Sequence, residues 1–219
     1  MVPIVKRIFT EEESKEILEF LKEKVYVYHR PYKRYNKMVK VPRGQASFTL
    51  NENIHYNYGR IAGGSPPNEV MCDRLKEITQ KVNTVMGRNY NTILMNVYKN
   101  NKDCFAAHQD NENGWVKGTG FGTLAFGCER PFVIREIASK NREKIMHKSG
   151  EMIELPYPMN SYYTHQVPSY SKALGDEWRI SLTFREIEES SCVGCLTRSA
   201  NNEPIREGQF VQITNKFIS

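Results

Sequence analysis

Arg179-Ile180-Ser181-Leu182-Thr183-Phe184-Arg185 (RISLTFR, 179–185) alternates polar and apolar residues without a break. A period of two is that of a β-strand, whose successive side chains point to opposite faces. Ile180, Leu182 and Phe184 therefore share one face, and Arg179, Ser181, Thr183 and Arg185 share the other. Two unpaired guanidinium groups facing inward would cost several kcal/mol, so the polar face demands an anion. Asp or Glu on a neighbouring strand would serve, and so would a ligand. Arginine grips carboxylates in fork geometry and keeps its charge, so the pair suits a small dicarboxylate held inside a barrel.

Working outward, TILMNVY (92–98), FGTLAFG (121–127), PFVIREI (131–137), EMIELP (151–156) and SYYTHQV (161–167) also read as short strands. Turn residues separate them and no helix-length pattern interrupts them. Upstream, Thr10 and Glu13 have capping-box spacing, and Ile17, Leu18 and Leu21 form an apolar stripe, which predicts a helix over 11–25. Ser65-Pro66-Pro67 opens a second predicted helix, with Met71, Leu75, Ile78, Val82 and Val85 on one face and Gly87 as its stop. Residues 26–67 between them are aromatic, basic and irregular. Helices followed by a run of strands predict an α+β protein with an all-β core, either a sandwich or a jelly roll. Parallel winding is disfavoured. From about residue 191 the periodicity is lost and the chain reads as an edge strand or tail.

The 219 residues can bury one substantial core, and the net charge of +6 favours an anionic partner. Five cysteines form an odd set without the density of a disulfide scaffold, which points to a reducing, intracellular compartment. Neither a leader pattern nor a run of eighteen apolar residues is visible, so a soluble protein that does not enter membranes is expected, and a monomer. Cys192-x-x-Cys195 supplies half of a zinc site, but partners are not evident, and surface thiols are the plain reading.

His108-Gln109-Asp110 sets an imidazole and a carboxylate two residues apart, on one face of an extended segment. A distant third ligand, His165 in SYYTHQV, completes two histidines and one carboxylate, the facial set of non-haem iron oxygenases. His147, the rival third ligand, sits among charges in EKIMHKSGE (143–151) and is expected to face solvent. Asn96 and Tyr98 share a strand face and offer an amide and a phenol to the same ligand.

The order Asn96-x-Tyr98, His108-x-Asp110, His165, Arg179-x5-Arg185 resembles the AlkB family of oxidative nucleic-acid dealkylases, over about residues 42–185. The resemblance implies a double-stranded β-helix (jelly-roll) core buttressed by the N-terminal helices, in a dioxygenase domain spanning 1–190, with a tail over 191–219. It implies that His108, Asp110 and His165 hold Fe(II). Arg179 and Tyr98 would then grip the distal carboxylate of 2-oxoglutarate, and Arg185 and Asn96 the carboxylate beside the keto group. Ser181 stands where many members carry Asn and can still donate to the cosubstrate. Glu112 matches an acidic residue that contacts the substrate base. VPRGQASF (41–48) and HYNYG (55–59) look like a nucleotide-recognition lid over about 26–64, with Phe48 and Tyr58 as stacking platforms and Arg43 and Gln45 nearby. Basic residues interleaved with tyrosines, from Tyr32 to Lys40, fit a nucleic-acid rim.

The implied reaction is oxidative demethylation of bases such as N1-methyladenine and N3-methylcytosine in DNA or RNA. It consumes O2 and 2-oxoglutarate and releases formaldehyde, succinate and CO2. RISLTFR and FGCERPFVI (126–134) also resemble AlkB domains of plant RNA viruses. Two other classes fit the same core: a 2-oxoglutarate-dependent hydroxylase of protein or small molecules, and a nucleic-acid-binding module with an inactive site. Iron content and succinate formation separate these.

Overall fold

Thr10 starts the first helix as its spacing predicts: its hydroxyl accepts from Glu13 N and the Glu13 carboxylate accepts from Thr10 N. The computed structural model describes residues 1–25, 27, 31–34, 37–40, 43–56, 68–170 and 178–189. Tyr58, Ser65–Pro67, Cys192, Cys195 and the expected tail lie outside these residues. β1 (Ile4–Arg7), α1 (Glu11–Lys24), the hairpin β2 (Pro31–Arg34) and β3 (Lys37–Lys40), β4 (Gly44–Thr49) and β5 (Asn68–Val70) precede α2 (Asp73–Met86). They are followed by β6 (Thr92–Tyr98), β7 (Phe105–His108), β8 (Phe121–Gly127), β9 (Arg130–Glu136), β10 (Arg142–His147) and β11 (Glu151–Leu155). A single turn, α3 (Met159–Tyr162), then leads into β12 (Tyr163–Val167), and β13 (Arg179–Arg185) is the last strand.

Two sheets carry the architecture, a major one ordered β1-β11-β8-β13-β6-β4-β5 and a minor one ordered β10-β9-β12-β7. β13 lies at the centre of the major sheet, antiparallel to both β6 and β8. Its apolar residues Ile180, Leu182 and Phe184 pack with Ile93, Met95 and Val97 of β6 against Ile17 and Leu21 of α1 and Leu75, Ile78 and Val82 of α2. The opposite face of the major sheet meets the minor sheet: Tyr98, Phe121, Ile153 and Leu155 pack against Phe132, Ile134 and Val167. The helices thus buttress one face of the jelly roll, and the inter-sheet space is left for the polar residues of β6 and β13.

Three expectations change. α2 begins at Asp73, later than the prolines at 66–67 suggest, because residues 68–70 form a parallel strand on β4 and Met71 N–H extends that ladder to Thr49 O. β4, inside the expected lid, is a full strand of the major sheet, paired with β6 from Gly44↔Val97 to Thr49↔Thr92. Phe48 is consequently not a stacking platform: it is 5% exposed on the helix-facing side of β4, with Ala46. Gln45 and Phe48 are three residues apart, an odd number, so a strand sends them to opposite faces.

Leu182 is fully buried at the centre of this packing. Leu182→Ala is expected to lower unfolding free energy by about 2–5 kcal/mol, read from urea denaturation midpoints, whereas loss under about 1 kcal/mol would contradict a rigid core there.

Candidate active site

His108 closes β7 and stands directly across from His165 of β12 in the antiparallel register of the minor sheet. Cross-strand pairing brings the ring centroids to 4.2 Å. Asp110 follows two residues after His108, and one ligand atom from each of the three residues lies within 4.8 Å of the others. His108 Nε2 is 3.3 Å and His165 Nε2 is 3.7 Å from Asp110 Oδ1. Phe105 stacks on His108 at 3.8 Å, and Phe121 and Phe132 flank His165.

The donor chemistry fits a cation. His108 Nδ1 lies 2.8 Å from Ala106 O, and a carbonyl only accepts, so the proton sits on Nδ1 and the Nε2 lone pair faces the Asp110 oxygen. Among the described residues this buried Nε2 has no hydrogen-bond partner. Two acceptors aimed at one point repel unless a metal ion lies between them. Two imidazoles and a carboxylate on one side, with the other positions open, suit Fe(II).

The other oxygen of the carboxylate is anchored. Arg185 Nε donates to Asp110 Oδ2 at 3.2 Å and Nη2 donates to the same atom. Burial alone would raise the Asp110 pKa, but the Arg185 charge outweighs it and holds the carboxyl well below its ordinary range. Arg185 lies among the rings of Tyr56, Trp115 and Phe121, 5.1–5.8 Å from their centroids. Tyr56 in turn donates to Asn111 O, tying this cage to the loop after Asp110.

Asn160, which the sequence does not single out, holds that loop. Its Oδ1 accepts from Asp110 N at 2.9 Å, and its Nδ2 donates to Asp110 O at 3.0 Å and to Glu112 Oε1 at 2.7 Å. Its backbone carbonyl accepts from Gln109 Nε2 at 2.7 Å. Glu112 is exposed and its carboxylate is held by this amide.

The polar faces of β6 and β13 form the opposite wall. Asn96, Tyr98, Ser181, Thr183 and Arg185 line the cavity with the three metal-ligand residues, and Ser181 stands opposite Asn96 in register. Arg43 Nε and Gln45 Nε2 both donate to Asn96 Oδ1, at 2.8 and 3.0 Å. That leaves the Asn96 NH2 end as the donor for an anion. Arg43 is 6% exposed with its guanidinium 3.4 Å from the Phe105 ring centroid, so Arg43 and Gln45 belong to the wall behind Asn96 and not to an outer rim.

Arg179, at the start of β13, is 1% exposed and lies 5.1 Å from the Tyr98 ring. Its Nη2 donates to His147 Nδ1 at 3.1 Å, while its Nε and Nη1 have no hydrogen-bond partner among the described residues. A buried cation with idle donors and no carboxylate partner in that set fits an acidic ligand. His147 corrects the expectation from sequence: it is fully buried, because β10 pairs with β9 and carries its side chain inward, not to solvent.

Burial, followed by the positive charge or imidazole beside each, drives the pKa values of His147 and His165 down to about 3 from 6.5. A histidine buried neutral stabilises the fold fully above its unfolded pKa, and that contribution is lost as pH falls from 6.5 towards 3. Metal-free protein is therefore expected to lose up to ~1.4 kcal/mol per pH unit per histidine across that window. Urea midpoints at pH 7 and pH 5 check this, and identical midpoints would contradict neutral burial.

Residues 2–185 match the family model of the 2OG-Fe(II) oxygenase superfamily. The DNA oxidative demethylase ALKBH2 of Bos taurus is 26% identical over 191 residues, covering 82% of this chain and 66% of that relative. ALKBH2 of Homo sapiens is also 26% identical, over 82% of this chain and 71% of its own length. The human alpha-ketoglutarate-dependent dioxygenase alkB homolog 3 is 26% identical over 143 residues, 61% of this chain and 49% of the relative. The chain thus spans about two thirds of its ALKBH2 relatives and half of the last. The solved structure of OsALKBH1 superposes with a TM-score of 0.57 at 15% identity, covering 84% of this chain and 97% of that one, which bears on the fold. The metal-ligand set agrees with the family match, and the chain belongs to the 2OG-Fe(II) oxygenase superfamily, with relatives of AlkB type.

Proposed function

We propose that this chain oxidatively demethylates N-alkylated nucleic-acid bases of the N1-methyladenine and N3-methylcytosine type, in DNA or RNA. The observation that carries the reading is the placement of Glu112. Its carboxylate lies on the loop that supplies Asp110, and Asn160 Nδ2 donates both to it and to the Asp110 backbone carbonyl. An acid at that place can accept from an exocyclic amine or a protonated ring nitrogen of a base. The relatives named as DNA oxidative demethylases support the same substrate class.

His108, Asp110 and His165 would hold Fe(II), with Arg185 fastening the carboxylate so that Oδ1 faces the ion. When bound, iron with 2-oxoglutarate and O2 supplies an oxidising equivalent that hydroxylates an N-methyl group, and the product loses formaldehyde. Arg179 and Tyr98 would fix the distal carboxylate of the cosubstrate, Asn96 and Arg185 the one next to the keto group, with Ser181 between them. Arg43 and Gln45 orient Asn96 for that task. Phe121 and Phe132 cover the buried His165, and Phe105 stacks on one face of the partly exposed His108. The target base must leave its stack or be single-stranded to reach this depth. The β2–β3 hairpin carries Lys33, Arg34, Lys37 and Lys40 in its sequence, and with the segment around Tyr58 it would form the lid of a single domain over 1–190. Among the described residues no helix is long and apolar enough to cross a membrane.

Assays of succinate and formaldehyde with Fe(II), 2-oxoglutarate and ascorbate, on methylated DNA and RNA oligonucleotides, test the proposal. Formaldehyde is expected in step with succinate, and Asp110→Ala is expected to lose more than about 100-fold, since outer-shell changes alone often cost 10–100-fold. Succinate without substrate-dependent formaldehyde would retain the oxygenase and overturn the nucleic-acid substrate.

A further inference from the structure

Two buried arginines flank the Tyr98 ring, Arg130 at 5.7 Å and Arg179 at 5.1 Å, and they are used differently. Arg130 donates through Nη1 and Nη2 to the carbonyls of Asn100, Asp103 and Pro168, so its head clamps backbone. Arg179, which stands against Tyr98, instead directs Nη2 to His147 Nδ1, a side chain. That contact joins the minor sheet, through the end of β10, to the centre of the major sheet. His147 is itself held: its Nε2 lies 2.8 Å from Glu151 O, and since a carbonyl only accepts, Nε2 carries the proton. Arginine only donates, so Nδ1 must present its lone pair to Arg179. The two hydrogen bonds therefore specify one tautomer of a neutral imidazole, and burial beside a cation keeps it neutral.

We infer that His147 is a positioning residue for cosubstrate recognition, a neutral acceptor that fixes the plane of the Arg179 guanidinium while leaving its charge to the distal carboxylate of 2-oxoglutarate. The neutrality is the point of the arrangement. Asp or Glu at this place would also orient Arg179, but as an internal counter-ion it would compete with the carboxylate of the ligand. An apolar residue would leave the charge available and the guanidinium free to rotate, at an entropic cost on binding. Histidine pinned by Glu151 O satisfies both requirements. This inference rests on the reading that Arg179 faces the distal carboxylate.

The test uses full-length protein loaded with Mn(II), so that no turnover occurs, and calorimetric titration with 2-oxoglutarate and with 2-oxopentanoate, which lacks the distal carboxylate. His147→Ala is expected to weaken 2-oxoglutarate binding about tenfold and to leave 2-oxopentanoate unchanged. His147→Asn, a neutral acceptor, should recover most of the loss. Its isostere His147→Asp should bind 2-oxoglutarate more weakly than the Ala variant. The Asn and Asp pair differ in charge but not in shape, so the comparison survives if the Ala variant does not fold. Equal weakening of both ligands, or Asn and Asp variants that behave alike, would overturn the inference. Arg179→Gln separates the two levels. If it discriminates between the ligands while the His147 variants do not, the inference alone fails. If Arg179→Gln affects both ligands equally, the assignment of Arg179 fails and takes the inference with it.

Discussion

The register of β13 between β6 and β8 is the constraint from which the site follows. With Ser181 opposite Asn96 and Arg179 opposite Tyr98, one face of two adjacent strands becomes a row of donors. The other face buries Ile180, Leu182 and Phe184 against the helices. A slip of one residue would drive both arginines into that apolar layer, so hydrophobic burial enforces the position of the charges. The energy that holds the fold and the geometry that binds an anion are set by the same seven residues.

Electrostatics then distinguishes two places along β13. At one, Arg185 takes one oxygen of Asp110 and leaves the other facing the His108 and His165 rings, a set of donor atoms suited to a cation. At the other, the buried Arg179 meets the His147 imidazole and, among the described residues, no carboxylate. On the proposed reading a keto diacid would join the two, one end at the metal ligands and its far acid group at Arg179. The aromatic rings around Arg185, His108 and His165 thin the water and strengthen each of these attractions.

Period-two signals made much of this legible in the sequence. RISLTFR, NVY and His-x-Asp are short, and each predicts a shared face without knowledge of any neighbour. The same rule applied to residues 45–48 separates Gln45 from Phe48, and it outranks the lid motif that groups them. The start of α2 is obscured because Met71 fits a helical stripe, although its N–H extends a β ladder to Thr49. His147 and Asn160 carried no local signal. Arg179 lies 32 residues from His147, and Gln109, Asp110 and Glu112 lie 48–51 residues from Asn160, while charges near His147 in sequence say nothing of the side to which β10 turns it. Long-range hydrogen bonds made by ordinary polar residues are fixed by topology, which a single sequence does not print.

The central claim is that His108, Asp110 and His165 hold one iron ion beside a pocket for a keto diacid. Anaerobic titration with Fe(II) and 2-oxoglutarate tests it most directly, because chelation of ferrous iron by a 2-oxo acid gives a visible charge-transfer band. A band that saturates at one iron per chain and disappears in Asp110→Ala and His165→Ala is expected. A band that persists in those variants, or iron binding with no band in the intact protein, would contradict it.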